Sequence, residues 1–368
     1  MTEPEPLPLA GVRVLDLTAL LPGPICTLHL AELGADVVKV ERPGGDVIRQ
    51  LMTGVFETIN RGKKCLELDL RSAEGVLYLE RLIDQADVLV ESFRPGGLAK
   101  LGFDSARLVE RNPRLIYVSL SGYGQSGPLA GQPGHDVNYL GLSGLLAFSG
   151  SPDGPPEASG GIPIADLGGA LYATLGILSL LLRRQKTGRG GVIDVPLAAT
   201  ALKLAEVRLA AHIAEGSPEK SEFMGRGAYG VFVGGDGGRF TLGCMEQHFW
   251  RRLCQVLGAD ELADDSRFRT YADRCRSAAL VNEKLQGYLL LRSSKEWIEL
   301  LSAADIPVGP VLEPDELGAD PQVASWGLLH ERPGYRAVDL PLIGLDLAAG
   351  HAPVTIGADR AHDPWPEA

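Results

Sequence analysis

The sequence predicts an α/β protein with a large, doubly wound parallel-sheet domain and a smaller α/β domain. Length is the first reason, because 368 residues are too many for a single core of ordinary size. The second reason is that the first 125 residues alternate short β-type runs with helical patterns, as parallel sheets do. The third is a separate hairpin-and-helix pattern that begins after the polar segment GSPEKSE.

Five β-type runs and three helical patterns fill the N-terminal third. The helix between the third and fourth runs has Ser72 as its predicted N-cap. In a parallel sheet the carboxyl ends of the strands meet at one edge, where ligands bind. That edge would carry the turns at Arg42 and Arg94 and the glycine-rich loop 122–127. The five runs are GVRVLDLT, VVKVER, KKCLELDL, VLVESF and LIYVSLS.

The longest apolar run, residues 164–182, is broken only by Asp166 near its start. A run of this length can cross a bilayer. We interpret it instead as a helix in the core of a soluble protein, because no second such run follows. An acidic residue also suits the first turn of a helix. We therefore expect no membrane association.

The predicted domain boundaries follow from changes in pattern along the chain. The strand VIDVPL ends the first part of the large domain, and a hairpin turning at residues 234–238 begins the small one. The predicted segments are a large domain at 1–197 completed by 330–368, a helical linker at 198–221, a small domain at 222–315 and a return linker at 316–329.

Composition limits the function. With 45% hydrophobic and 22% charged residues the chain should be folded and globular, and a net charge of -12 argues against nucleic-acid binding. The five cysteines are scattered without the spacing of a metal site, so we predict no metal and a reduced, cytoplasmic setting. The first residues show no basic segment followed by an apolar run, so no secretory signal is expected.

The segment Gly122–Gly127 matches the GxGxxG pattern of dinucleotide-binding proteins and follows a predicted strand. Pro128 follows directly, so no helix begins where a pyrophosphate would need one. The loop therefore predicts no nicotinamide cofactor.

Two side chains near helix starts could act as acids and bases. His135 and Asp166 each precede or begin an apolar helical pattern. Either could simply cap its helix or, for the histidine, be a hydrogen-bonded core residue. A helix N-terminus favours the neutral imidazole, whereas burial raises the pKa of a carboxyl group, so both could titrate near neutral pH. Two such groups facing one carbon are what a two-base racemase needs.

At this point the chain resembles the CaiB/BaiF family, the class III CoA-transferases, over most of residues 8–312. The GHDVNY block is similar to the one that carries the histidine base of the α-methylacyl-CoA racemase branch, and ADLGG is similar to the block of the family aspartate. The blocks that carry the resemblance are PLAGVRVLDLT, LGADVVKVERPGGD, NRGKKCLELDLRSAEG, ADVLVESFRPG, LIYVSLSGYGQSGP, GHDVNYLGLSGLL, ADLGGALYATLGILSLLLRRQKTGRGGVIDV and IPVGPVL.

The resemblance implies a Rossmann-like large domain, an interlocked homodimer and an acyl-CoA substrate that needs no separate cofactor. It assigns catalytic roles to His135 and Asp166, with Glu246 as the residue that orients His135 across the dimer. A glutamate at a helix start is also a common cap, which is the alternative for Glu246. The implied CoA contacts are Arg42, Arg61, Lys63, Arg94, Gly134, Asp136, Asn138 and Tyr139.

The main hypothesis is a racemase that interconverts 2-methylacyl-CoA stereoisomers through an enolate, with His135 and Asp166 as the two bases. The alternative is a transferase that moves CoA between carboxylic acids through an anhydride on Asp166. A third hypothesis is a protein that binds CoA thioesters without catalysis.

Overall fold

The computed structural model describes residues 6–158, 161–345, 347, 355–356 and 364–365. The chain divides into two compact units. The first consists of residues 1–146, 158–207 and 321–368, and the second of residues 147–157 and 208–320. The predicted small domain, 222–315, falls within the second unit.

The first unit begins with alternating strands and helices, as the sequence predicts. Its strands are β1 (Arg13–Leu17), β2 (Asp36–Glu41), β3 (Lys64–Glu67), β4 (Val88–Glu91), β5 (Ile116–Ser121) and β6 (Gly191–Pro196). Its helices are α1 (Pro22–Glu32), α2 (Val47–Leu51), α3 (Thr53–Asn60), α4 (Ala73–Gln85), α5 (Ser105–Arg111), α6 (Asp136–Leu142), α7 (Ile164–Thr187) and α8 (Leu197–Ala214), the last of which continues into the second unit.

The second unit contains a hairpin and a set of helices. Its elements are α9 (Lys220–Met224), β7 (Tyr229–Val233), β8 (Arg239–Gly243), α10 (Gln247–Leu257), α11 (Asp260–Asp264), α12 (Tyr271–Arg276), α13 (Ala278–Leu289), α14 (Ser294–Ala303) and β9 (Val308–Pro310). The three strands form an antiparallel sheet in the order β7-β8-β9, which confirms the predicted hairpin.

The C-terminal part returns to the first unit. It contributes α15 (Pro321–Trp326), the antiparallel pair β10 (Leu329–Arg332) and β11 (Tyr335–Val338), and the two-residue strand β12 (Thr355–Ile356). β12 pairs in parallel with β3.

The main sheet is parallel throughout, in the order β12-β3-β2-β1-β4-β5-β6. Side chains alternate between its two faces, so that Val14 packs into one buried cluster and Leu15 into the other. Helices α1 and α7 contribute to the first cluster, and α4 and α5 to the second. This confirms the predicted α/β fold with a doubly wound sheet.

Local signals explain two of the helices that matter for the site. Ser72 accepts a hydrogen bond from the backbone N–H of Gly75 at 3.0 Å, which confirms the predicted cap of α4. At the start of α7, two glycines allow close packing against α8. A Cβ atom on Gly169 would lie 2.2 Å from Leu197, and one on Gly168 would lie 2.8 Å from Leu204.

Within the part of the chain that the structure describes, α7 is the one helix that is long and apolar enough to span a membrane. Its buried face includes Ala173 and Ile177, which are fully enclosed in the core. The opposite face exposes large apolar side chains at Leu171, Leu175 and Leu182. The helix is therefore buried along one face, whereas the sequence analysis assigned the whole run to the core.

Candidate active site at the carboxyl edge of the sheet

A cavity of about 770 Å³ opens at the carboxyl ends of β1, β2, β3 and β4. The strand order reverses between β1 and β4, and open parallel sheets bind their ligands at such a switch point. The lining comes from the loops that follow these four strands: Thr18, Ala19 and Leu20; Arg42, Pro43 and Asp46; Asp69, Leu70 and Arg71; and Ser92 and Phe93.

Two guanidinium groups belong to this lining. The Nε atom of Arg42 donates to the carbonyl oxygen of Gly45 at 3.2 Å, and that of Arg71 to the carboxylate of Asp69 at 3.1 Å. Arginine forks suit phosphate oxygens, so both groups could hold an anionic ligand. Arg42 is among the residues predicted from the sequence, whereas Arg71 is not. Its position directly after the KKCLELDL strand is the signal that could have identified it.

Arg61 and Lys63 lie in the interior instead. Arg61 is 4% exposed, and its guanidinium pairs with Glu32 and donates to the carbonyl of Val338 at 2.9 Å. The Lys63 ammonium, 1% exposed, donates to the Asp16 carboxylate at 3.3 Å. Both groups are therefore paired with carboxylates in the interior, and their predicted contacts with CoA stay predictions.

Arg94 is exposed in the turn after β4, next in sequence to Phe93, but it does not belong to the lining of the cavity. Its predicted contact with CoA stays a prediction.

The GHDVNY block forms a tightly bonded start to α6. The backbone N–H of His135 donates to the side chain of Asn138 at 2.9 Å, and the Tyr139 hydroxyl donates to the carbonyl of Gly134 at 2.6 Å. A Cβ atom on Gly134 would lie 2.7 Å from the Tyr139 ring, so this ring leaves room only for glycine. His135 itself is exposed at the helix start.

Asp136 joins this block to α7. Its Oδ1 atom accepts hydrogen bonds from the backbone N–H groups of Ala165 at 2.7 Å and of Asp166 at 3.1 Å. These N–H groups belong to the first turn of α7, where a helix has no partners of its own for them. The structure thus brings the segments of His135 and Asp166 together through Asp136.

Asp166 is the third residue of α7 and is only partly exposed. Burial, together with the negative charge of Asp136, raises its pKa from an ordinary 3.8 to about 7. Among the described residues, no donor makes a hydrogen bond to its carboxylate. Its pKa thus lies near neutral pH, where both the protonated and the ionised form are populated, which suits both proton transfer and covalent attack.

Glu246 immediately precedes α10 in the second unit, where its carbonyl accepts the N–H of Trp250 at 3.2 Å. The residues on either side of Glu246 are held by Arg274, which donates to the carbonyl of Met245 at 2.8 Å and to the side chain of Gln247 at 2.8 Å. Glu246 is exposed, and its predicted role beside His135 stays a prediction.

Comparison with known proteins identifies the family. The chain matches the model of CoA-transferase family III over residues 9–359, and it belongs to that family. The acetyl-CoA:oxalate CoA-transferase of Acetobacter aceti is 36% identical to it, over 92% of this chain and 96% of the relative. The succinate–glutarate CoA-transferase of Agrobacterium fabrum is 33% identical, over 87% and 84%.

Solved structures agree. A CaiB/BaiF family protein from Brucella suis superimposes with a TM-score of 0.84 at 31% identity, covering 95% of this chain and 97% of that one. The predicted family is therefore confirmed. The relatives' names are those of transferases, so they support the alternative hypothesis better than the racemase hypothesis.

Proposed function

We propose that this protein transfers CoA between carboxylic acids, with the Asp166 carboxylate as the group that becomes acylated. The observation that carries the proposal is the state of that carboxylate: it is half-buried, has no hydrogen-bond donor among the described residues, and lies beside a second carboxylate. A carboxylate whose pKa is raised is a stronger nucleophile than an ordinary one, and a pKa near 7 leaves an ionised population at neutral pH.

The reaction proceeds in two exchanges. An Asp166 oxygen attacks the carbonyl carbon of the donor thioester, the C–S bond breaks, and CoA is released as a thiolate while a mixed anhydride of Asp166 and the donor acyl group remains. The thiolate then attacks the Asp166 acyl carbon, which releases the donor as a carboxylate and leaves CoA on the enzyme. The acceptor carboxylate repeats the sequence in reverse, so that acceptor acyl-CoA departs and Asp166 is regenerated.

The cavity at the carboxyl edge is proposed to hold the nucleotide end of CoA. Arg42 and Arg71 would contact its phosphates, which offsets the repulsion expected from a chain of net charge -12. Asp166 lies in the first turn of α7, which leads into β6, so it lies at the same edge of the sheet as this cavity. The pantetheine arm would run along that edge from the arginines to Asp166.

The exposed apolar face of α7 supports a homodimer, because such a face is normally covered by another protein surface. α8 adds exposed Leu202, Leu204 and Val207 in the first unit. We propose that a second copy of the chain covers these helices. Size-exclusion chromatography with light scattering would detect it as twice the 39.2 kDa chain mass.

One observation favours the racemase hypothesis as a second candidate. Asp136 ties the segment that carries His135 to the start of α7, so an imidazole and a carboxylate lie in two adjoining helix starts. If they face one substrate carbon from opposite sides, they could exchange its proton.

A single assay separates the two functions. The enzyme is incubated in deuterated water with acetyl-CoA, succinyl-CoA or a 2-methylacyl-CoA, with and without oxalate or glutarate, and the thioesters are analysed by mass spectrometry. We expect a new thioester only when an acceptor acid is present, and its loss in Asp166→Asn. Deuterium uptake at the α-carbon without an acceptor would contradict the transferase hypothesis if both His135→Ala and Asp166→Asn abolish it. That result would support the racemase hypothesis.

A further inference from the structure

Asp136 is the residue whose surroundings the proposed reaction does not explain. It was predicted to contact CoA, but its Oδ1 atom is occupied by two backbone N–H groups at the start of α7. α7 begins after Pro163, whose side chain offers no hydrogen bond to the free N–H groups of the first turn. The Asp136 carboxylate, on α6, therefore caps the N-terminus of α7.

We propose that Asp136 is a positioning residue for Asp166: its carboxylate fixes the first turn of α7 from outside the helix and places a second negative charge beside the reacting one. This proposal deepens the proposed function, since it concerns how Asp166 is prepared for reaction.

The geometry gives Asp136 two separable effects. Its hydrogen bond to the Asp166 N–H, at 3.1 Å, holds the backbone from which the reacting side chain extends. Its charge opposes ionisation of Asp166, because two carboxylates sharing a site cannot both ionise as easily as one. An asparagine at position 136 would keep an acceptor oxygen for both N–H groups but remove the charge, so the two effects can be tested apart.

The charged and titratable surroundings of Asp166 contain no cation that would cancel this repulsion among the residues that the structure describes. From α6, Asp136 and Tyr139 act on it electrostatically. Burial, and then the charge of Asp166, raise the pKa of Tyr139 to about 12, so its hydroxyl stays neutral. Tyr123, from the loop after β5, packs edge-on against Tyr139 with ring centroids 5.3 Å apart. On α1, His29 bonds to α7 about two turns beyond Asp166.

The test uses folding stability and needs no catalysis. The unfolding free energies of the wild type, Asp136→Asn, Asp166→Asn and the double variant are measured in urea from pH 4 to pH 9. Asp166→Asn should raise the free energy of unfolding relative to the wild type, and this gain should grow with pH. It should level off near pH 7, where the native carboxyl group has ionised. The same gain, measured between the double variant and Asp136→Asn, should level off at a pH lower by about one unit or more.

Asp194 provides the matched control. It accepts the backbone N–H of Gln125 at 2.8 Å, so it too is a carboxylate that caps a backbone donor in the first unit. Asp194→Asn should leave the levelling-off point near pH 7. A point that does not move in Asp136→Asn, or that moves equally in Asp194→Asn, overturns the proposal.

Activity gives the second readout. If transfer requires ionised Asp166, the acid limb of the kcat profile should move to lower pH in Asp136→Asn by the same amount as the stability limb. Asp136→Ala should lower kcat further than Asp136→Asn, because it also leaves both N–H groups without a partner. If the protein catalyses no CoA transfer, the proposed function fails, whereas the shift in the stability profile still decides the role of Asp136.

Discussion

Two aspartates of the first unit have opposite surroundings. Asp16, at the end of β1, is fully buried, and its carboxylate accepts the hydroxyl of Thr27 at 2.6 Å and the ammonium of Lys63 at 3.3 Å. Asp166, at the start of α7, has no such donor among the residues that the structure describes, and it lies beside Asp136.

The pKa values follow these surroundings. Burial alone would raise the pKa of Asp16, but the ammonium groups of Lys39 and Lys63 and two hydroxyl groups outweigh it, so that pKa lies well below its usual range. At Asp166 burial and the like charge act in the same direction. A compensated carboxylate stabilises the fold under the cavity, whereas the uncompensated one is left available for chemistry.

The largest effect should come from removing the uncompensated carboxylate. Asp166→Ala should lower the rate of CoA exchange by about a thousandfold or more, because a covalent intermediate has no other site to form on. Initial rates measured by chromatography of the thioesters test this. Asp194→Asn serves as the matched carboxylate change. Exchange within tenfold of the wild type in Asp166→Ala would remove the residue from the reaction.

Removing the compensated carboxylate should instead damage the fold. Asp16→Asn should lower the free energy of unfolding by roughly 3–5 kcal/mol, because it leaves the buried ammonium group of Lys63 without its carboxylate partner. Urea unfolding at pH 7 measures this loss. Asp16→Leu combined with Lys63→Met should cost less than Asp16→Asn alone, and a greater cost would show that the ion pair is not the source.

Neutralising Asp166 should instead raise the free energy of unfolding. Its native pKa of about 7 lies above the unfolded value near 3.8, so the native state holds a proton that the unfolded state has lost between these values. The contribution of Asp166 to wild-type stability therefore falls as pH rises from 4 to 7, by at most about 4 kcal/mol at 1.36 kcal/mol per pKa unit. Asp166→Asn should be more stable than the wild type at pH 8 and close to it at pH 4. A gain that is equal at both pH values would contradict the assignment.

The smallest effect is expected at the rim of the cavity. Arg71→Ala should weaken CoA binding by roughly fivefold, since its guanidinium is exposed and solvent screens its contacts. Arg42→Ala tests the other side of the cavity. Isothermal titration with CoA provides the measurement. Arg111→Ala is the control, because Arg111 is an exposed arginine on α5 that pairs with Glu80. Equal affinities in all three variants would place the phosphates elsewhere.

Much of the fold could be predicted because local patterns and tertiary structure agree. Short β-type runs alternate with helical patterns from β1 to β5, so the order of the elements follows from the sequence pattern. The sequence pattern predicts no element after β2, where α2 and α3 form. Both helices are short, and Gly54, the second residue of α3, weakens the helical pattern.

The site was only partly predictable, since its electrostatics depend on partners far apart in sequence. Arg61 and Lys63 look exposed in a polar turn, but their partners Glu32 and Asp16 come from α1 and β1. Asp166 was identified from its position before an apolar helix. Its contact with Asp136 joins residues that are 30 positions apart in sequence, and no periodicity encodes that pairing.

The most direct test of the account is the chemistry of Asp166 itself. The enzyme is mixed with an acyl-CoA, quenched and digested, and the peptide that contains residue 166 is weighed with and without prior hydroxylamine treatment. We predict a CoA or acyl adduct on Asp166 that hydroxylamine converts to a hydroxamate and that is absent from Asp166→Asn. An unmodified Asp166 peptide in an enzyme that is turning over its substrates would contradict the central claim.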